Sequence, residues 1–170
     1  HPLVYVTFGT VTAGIGPLAE IFTAALTALA DLPVRVLLTT GYAGGIEVAP
    51  PWPANAHVEK FWPQDEVMPL AAAMVGHGGF GTTMSALAAG VPQVLVPLFA
   101  SDQHLNADRV AAVGAGLRLD GGPAAVPALA SAVSGLLADP AVRRRASEVA
   151  AEIAALPEAA DVVADIERIA

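Results

Sequence analysis

The chain has 170 residues, 55% of them hydrophobic, a net charge of -8 at pH 7 and no cysteine. That length suffices for one domain with its own core, and the lack of thiols excludes disulfide frameworks and thiolate metal sites. The acidic balance argues against nucleic acid as a partner: Lys60 is the only lysine, and the one basic run, Arg143-Arg144-Arg145, lies on a helix rich in Ala and Glu.

His1-Pro2 leads at once into an apolar run, as expected of an excised domain or one half of a longer protein. No apolar run reaches the roughly 18 residues of a membrane span, and no signal pattern opens the chain, so a cytoplasmic location is the default expectation. Leu3–Phe8 is nearly all apolar, which predicts a strand buried on both faces. Pro17–Leu29 carries Leu18, Ile21, Phe22, Ala25 and Leu29 at helical spacing. Val34–Thr39 reads as a second strand, followed by a Gly/Pro-rich loop from Gly41 to Asn55 and a short strand at Val58–Phe61. A helical turn around Asp65–Leu70 precedes a strand of small residues at Ala73–Gly76.

Gly81–Ala89 is expected to be helical and to end at Gly90-Val91-Pro92, with a strand at Gln93–Leu98. Asp102 is expected to cap a helix running to Val113, with Gly114 as its stop. A last short strand at Leu117–Leu119 precedes three helices: Val126–Ala138, one opened by Pro140 after an Asp139 cap, and Asp161–Ile169. This alternation predicts an α/β fold, a Rossmann-like doubly wound parallel sheet, over residues 1–170.

Ligands of such sheets bind beyond the carboxyl ends of the strands. Gly9-Thr10, Trp62-Pro63-Gln64, His77-Gly78-Gly79 and Ser101-Asp102-Gln103 each follow a predicted strand, so four distant segments converge on one rim. Gly76-x-Gly78-x-x-Gly81 matches the dinucleotide fingerprint, and Asp102 lies about twenty residues on, where a ribose-binding acid would sit. An NAD site, another diphosphate site and a tight turn without a ligand all fit the glycines alone. In the first two cases the backbone approaches a diphosphate and the next helix points its amides at it.

Three features favour a diphosphate other than NAD. His77 sits within the loop, where it can donate to phosphate; Thr82 and Thr83 add hydroxyls in the first helical turn; and Asp102-Gln103 offers acceptors and donors for several hydroxyls. Phe61 or Trp62 supplies a ring to stack on a flat base, and strand alternation predicts that one stacks while the other plugs the core. Thr10 suits either a phosphate contact or an ordinary turn, and His57 and His104 read as surface residues. No Walker loop, no G-x-S-x-G elbow, no Asp-x-Asp metal clamp and no helical pair of histidines is present, so no metal is expected.

The run Phe61-Trp62-Pro63-Gln64, His77-Gly78-Gly79-Phe80-Gly81-Thr82-Thr83, Gly90-Val91-Pro92, Pro97 and Asp102-Gln103 resembles the donor signature of inverting two-domain (GT-B) glycosyltransferases. Thr7-Phe8-Gly9-Thr10 and the final helices extend the resemblance over nearly the whole chain, which is most similar to actinobacterial antibiotic enzymes of the calicheamicin type. The resemblance implies that Phe61 stacks on the base and Trp62 offers its backbone to the base edge. It implies further that His77, Gly79, Gly81 and Thr82 hold the diphosphate, that Asp102 and Gln103 hold the sugar, and that Asn106 orders the helix start.

No cofactor is implied; the nucleotide diphosphate-sugar is a substrate. Relatives using UDP-sugars carry Glu eight residues after the loop His, where this chain has Ser85, which points to a dTDP-deoxysugar over a UDP-sugar. The acceptor pocket and general base are expected in an N-terminal domain outside this chain, leaving the isolated domain able to bind nucleotide but inactive in transfer. A UDP-sugar transferase for macrolide or sterol-type acceptors and a non-catalytic nucleotide-sugar-binding module are the alternatives.

Overall fold

The computed structural model describes residues 1–9, 20–41, 48–157, 162–163 and 167–168. Thr10, the start of the helix expected from Pro17, residues 42–47 of the Gly/Pro-rich loop and most of the helix expected at Asp161–Ile169 lie outside the described residues.

Six strands form one sheet: β1 (Leu3–Thr7), β2 (Arg35–Thr39), β3 (Ala56–Glu59), β4 (Ala71–Gly76), β5 (Gln93–Leu95) and β6 (Gly116–Arg118). Their order is β3-β2-β1-β4-β5-β6 and every pairing is parallel. This is the Rossmann order, with its reversal between β1 and β4. The helices are α1 (Glu20–Leu29), α2 (Gln64–Val67), α3 (Phe80–Ala88), α4 (Ser101–Ala112), α5 (Leu129–Ala138) and α6 (Pro140–Ala154). Short 3-10 turns occupy Met68–Leu70 and Gly122–Ala128.

Helices cover both faces of the sheet, which is why its strands carry apolar residues at successive positions. Val4, Val6, Val36, Leu38, Val75 and Val94 pack with Phe22 and Leu29 of α1 and with Leu129, Val133 and Leu136 of α5. Tyr5, Leu37, Met74 and Leu95 point the other way, towards Ala86 of α3, Ala107 and Val110 of α4, and Ala146 and Val149 of α6. Each Val or Leu so buried contributes roughly 1.5–3 kcal/mol. Among the described residues no single helix is long and apolar enough to cross a membrane.

Several boundaries differ from expectation. β3 lies two residues earlier, because its ladder with β2 starts at Val36–Ala56. Phe61 and Trp62 therefore follow the strand and escape its alternation: they are 48% and 38% exposed, and neither plugs the core. β5 ends at Leu95: after Val96 N bonds to the Gly76 carbonyl, Pro97 has no amide to continue the ladder, and the Gln103 side-chain oxygen accepts from Leu98 N at 2.9 Å and Phe99 N at 3.2 Å.

Asp102 is not the cap of α4. Ala100 occupies that position in an extended conformation with no side-chain cap, and Asp102 lies inside the first turn, where an acid still favours the helix dipole. The cap expected at Asp139 is present, its carboxylate accepting from Ala141 N at 2.8 Å. His57 and His104 are exposed, His57 pairing with Glu59 at 2.8 Å and His104 sharing Arg118 with Asp108 and Asp120.

Candidate functional site

The reversal between β1 and β4 opens a crevice beyond their carboxyl ends. A cavity of about 310 Å³ lies there. Tyr5 and Thr7 of β1 and Thr39 of β2 contribute to its wall, as do Lys60, Phe61, Trp62 and Gln64 after β3, His77 and Gly79 between β4 and α3, and Gly81 and Thr82 in the first turn of α3. None of its described lining residues is a carboxylate, although the chain carries 16 acidic against 8 basic residues. A lining of this kind, with Lys60 in it, favours an anion over a cation.

His77 is buried and wedged between two glycines. A Cβ at Gly9 would stand 2.7 Å from its Cε1, and one at Gly79 would stand 2.4 Å from its Nε2, so neither position has room for a side chain. Burial lowers the His77 pKa to about 4 against the opposing pull of Asp102, leaving a neutral imidazole at pH 7. Its Nδ1 is buried without a hydrogen-bond partner among the described residues. That leaves Nε2 as the ring nitrogen free to meet a ligand, and the tautomer with its proton there lets it donate.

The loop after His77 is bolted to α4. Gly78 has φ +85°, and a Cβ there would sit 2.6 Å from the Gln103 carbonyl oxygen, so both the turn and the packing require glycine. Asn106 donates its side-chain amide to the Gly78 carbonyl at 2.9 Å. The loop enters α3 with the amides of Phe80, Gly81 and Thr82 ahead of the first helical bond, Thr83 N to the Gly79 carbonyl at 3.0 Å. Those free amides, the neutral imidazole and the Thr82 hydroxyl form a donor-rich concavity of the kind that receives phosphate oxygens.

The structure thus brings Phe61, Trp62, Gln64, His77, Gly79, Gly81 and Thr82 to one cavity. Pro63, Gly78, Ser85, Asp102 and Gln103 do not line it. Gly78 and Gln103 form the packing behind it, Asp102 is exposed and near enough to bias His77, and Ser85 is half-buried one turn further along α3. With its oxygen committed to Leu98 and Phe99, Gln103 has only its amide N–H groups to offer.

Sequence reasoning missed Tyr5 and Thr39, whose hydroxyls bond to each other at 2.9 Å, together with Lys60 and Phe80. The usable signals were polar groups near the ends of otherwise apolar strands and the placing of the sole lysine beside an aromatic pair. No group of acidic residues and histidines fit to hold a metal occurs among the described residues.

Known proteins resemble this chain in sequence and fold. Over 119 residues, covering 70% of the chain, it is 40% identical to 4'-demethylrebeccamycin synthase of Lentzea aerocolonigenes, and that match spans 27% of the relative. The calicheamicin glycosyltransferase CalG4 superposes with a TM-score of 0.84 and 32% identity, over 98% of this chain and 43% of CalG4. The glycosyltransferase VinC, solved in complex with dTDP, gives a TM-score of 0.82 and 29% identity over 99% of this chain and 41% of VinC. The chain therefore spans less than half the length of these relatives. The family model described as erythromycin biosynthesis protein CIII-like, C-terminal domain, matches residues 23–169, and the chain belongs to that family.

Proposed function

We propose that this chain is the sugar-donor-binding domain of an inverting glycosyltransferase that moves a deoxysugar from its dTDP-sugar to a natural-product acceptor. The observation that carries this reading is a cavity, with no carboxylate among its described lining residues, that joins an aromatic pair to a glycine loop at the switch point of the sheet. In this reading Phe61 stacks on the base and the Trp62 backbone meets its edge. His77, Gly79, Gly81 and Thr82 hold the diphosphate, and Thr10 supports them. Asp102 accepts from the sugar hydroxyls while Gln103 donates to the sugar oxygens. Ser85, where relatives using UDP-sugars carry a Glu that accepts from both ribose hydroxyls, suits a 2′-deoxyribose, which needs less from that position; it favours dTDP over UDP, and VinC with its bound dTDP supports that choice.

The chemistry is a direct displacement. A general base in an N-terminal acceptor domain takes the acceptor hydroxyl proton, the new C–O bond forms at the anomeric carbon, and the bond to the diphosphate breaks with inversion. The charge that develops on the departing diphosphate is met by the His77 Nε2–H, the Thr82 hydroxyl and the first amides of α3, all fixed before the reaction. No cofactor takes part, and cytoplasmic nucleotide-sugars supply the substrate. Calorimetric titration of this chain with dTDP, UDP and NADH tests the reading. Binding of dTDP in preference to the other two is expected, together with no glycoside formation by the domain alone. Binding of NADH without either sugar nucleotide would sink it.

A further inference from the structure

The side-chain amide nitrogen of Gln64 donates to Oγ1 of Thr82 at 3.0 Å. A hydroxyl has one proton and two lone pairs, so a bond accepted from Gln64 leaves the proton of Thr82 to go elsewhere. A helical Thr ordinarily returns that proton to a carbonyl one turn back, as Thr27 does to the Thr23 carbonyl at 3.0 Å. Thr82 does not take that route: its hydroxyl donates neither to the Gly78 carbonyl, which accepts from Asn106 at 2.9 Å, nor to the Gly79 carbonyl, which accepts from Thr83 N at 3.0 Å. The direction left open for the proton is the cavity that Thr82 lines.

We propose that Gln64 is a positioning residue: by donating to Thr82 it turns the Thr82 hydroxyl into a proton donor aimed at a diphosphate oxygen, without itself touching the ligand. This rests on the donor-site reading above. It differs from direct contact by Gln64, which also lines the cavity, in one measurable respect. If Gln64 acts only through the hydroxyl, removing the hydroxyl makes Gln64 irrelevant to the diphosphate.

The test is a double-mutant cycle by calorimetry on the full chain, with thymidine diphosphate and thymidine as ligands and thermal melts to verify folding. Thr82→Val is expected to weaken thymidine diphosphate roughly tenfold to a hundredfold, the worth of a hydrogen bond to a charged group. Gln64→Met should weaken it several-fold, and the double variant should match Thr82→Val within about twofold. Gln64→Glu, an acceptor only, should recapture the Thr82 proton and lose at least as much as Thr82→Val. Thr82→Ser, which keeps the hydroxyl, should keep its dependence on Gln64. Thymidine binding should be the same in all of them. Losses that multiply in the double variant, or a Gln64→Glu protein that binds like the unmutated chain, would overturn the positioning role. Failure of the unmutated chain to bind any nucleoside diphosphate would instead remove the donor-site reading, and this inference with it.

Discussion

Lowering the pH from 7 to 4 tests the burial of His77. The folded protein holds this imidazole at a pKa of about 4, against an ordinary 6.5. Above pH 6.5 neither folded nor unfolded chains carry the proton, and stability is complete. As the pH falls from 6.5 towards 4, the unfolded chain gains a proton that the folded chain refuses, so stability is lost progressively; below about 4 the loss levels off. A gap of about 2.5 pH units, at about 1.4 kcal/mol each, amounts to about 3.5 kcal/mol in full, of which about 3 kcal/mol is lost by pH 4. That is a sizeable share of the roughly 5–15 kcal/mol that holds a typical domain together.

The assay is urea denaturation at steps between pH 7 and pH 4, on the unmutated chain and on His77→Gln. Glutamine is polar and uncharged throughout, so carboxylates common to both proteins cancel in the difference. The stability of the unmutated chain relative to the variant should fall by about 3 kcal/mol across that range, with most of the fall between pH 6.5 and 4. Parallel curves would refute the reasoning, because they would mean that the imidazole protonates as easily in the fold as outside it.

Two neighbouring glycines should respond differently to a single methyl group. Gly78→Ala forces a side chain into the left-handed region and against the Gln103 carbonyl, and should cost at least about 2 kcal/mol in denaturation. Gly79 has φ -62°, so Gly79→Ala adds no backbone strain, but its methyl group would displace the wedged His77 ring; it should cost about 1–3 kcal/mol in denaturation and weaken diphosphate binding in calorimetry. Asn106→Leu removes the bolt on the Gly78 carbonyl and should destabilise the fold by about 1–3 kcal/mol, read as a lower denaturation midpoint. Phe61→Ala should weaken thymidine itself by about 1–3 kcal/mol, the worth of base stacking, whereas Trp62→Ala, keeping its backbone, should weaken it less; the reverse order would exchange their roles.

The sheet was legible because strands buried on both faces must be apolar at successive positions, as Leu3–Val6 is. The glycine loop was legible for a related reason: Gly78 answers a backbone demand that no other residue meets. The cap of α4 was misplaced because Asp is a good cap wherever the chain offers one, while the helix start was set two residues earlier by the Gln103 clasp on Leu98 and Phe99. Phe61 and Trp62 were given opposite faces by a strand that ends at Glu59. The burial of His77 depends on Gly9, 68 positions away, and the Gln64–Thr82 bond spans 18 positions. Contacts of that range leave no periodic trace in a sequence.

The place of β1 in the sheet has a consequence for how the site comes into being. This first strand stands at the centre, paired with β2 on one side and β4 on the other, and its Gly9 end forms one wall around His77. Closing the β1–β4 ladder gathers some sixty intervening residues, the kind of long-range pairing that comes late and slowly in folding. A chain in which β1 has not paired with β4 lacks the Gly9 wall beside His77, so the cavity is complete only once that pairing has formed. A chain trimmed to the family-matched residues 23–169 would lose β1 altogether, leaving β2 and β4 without their shared neighbour and His77 without its cover.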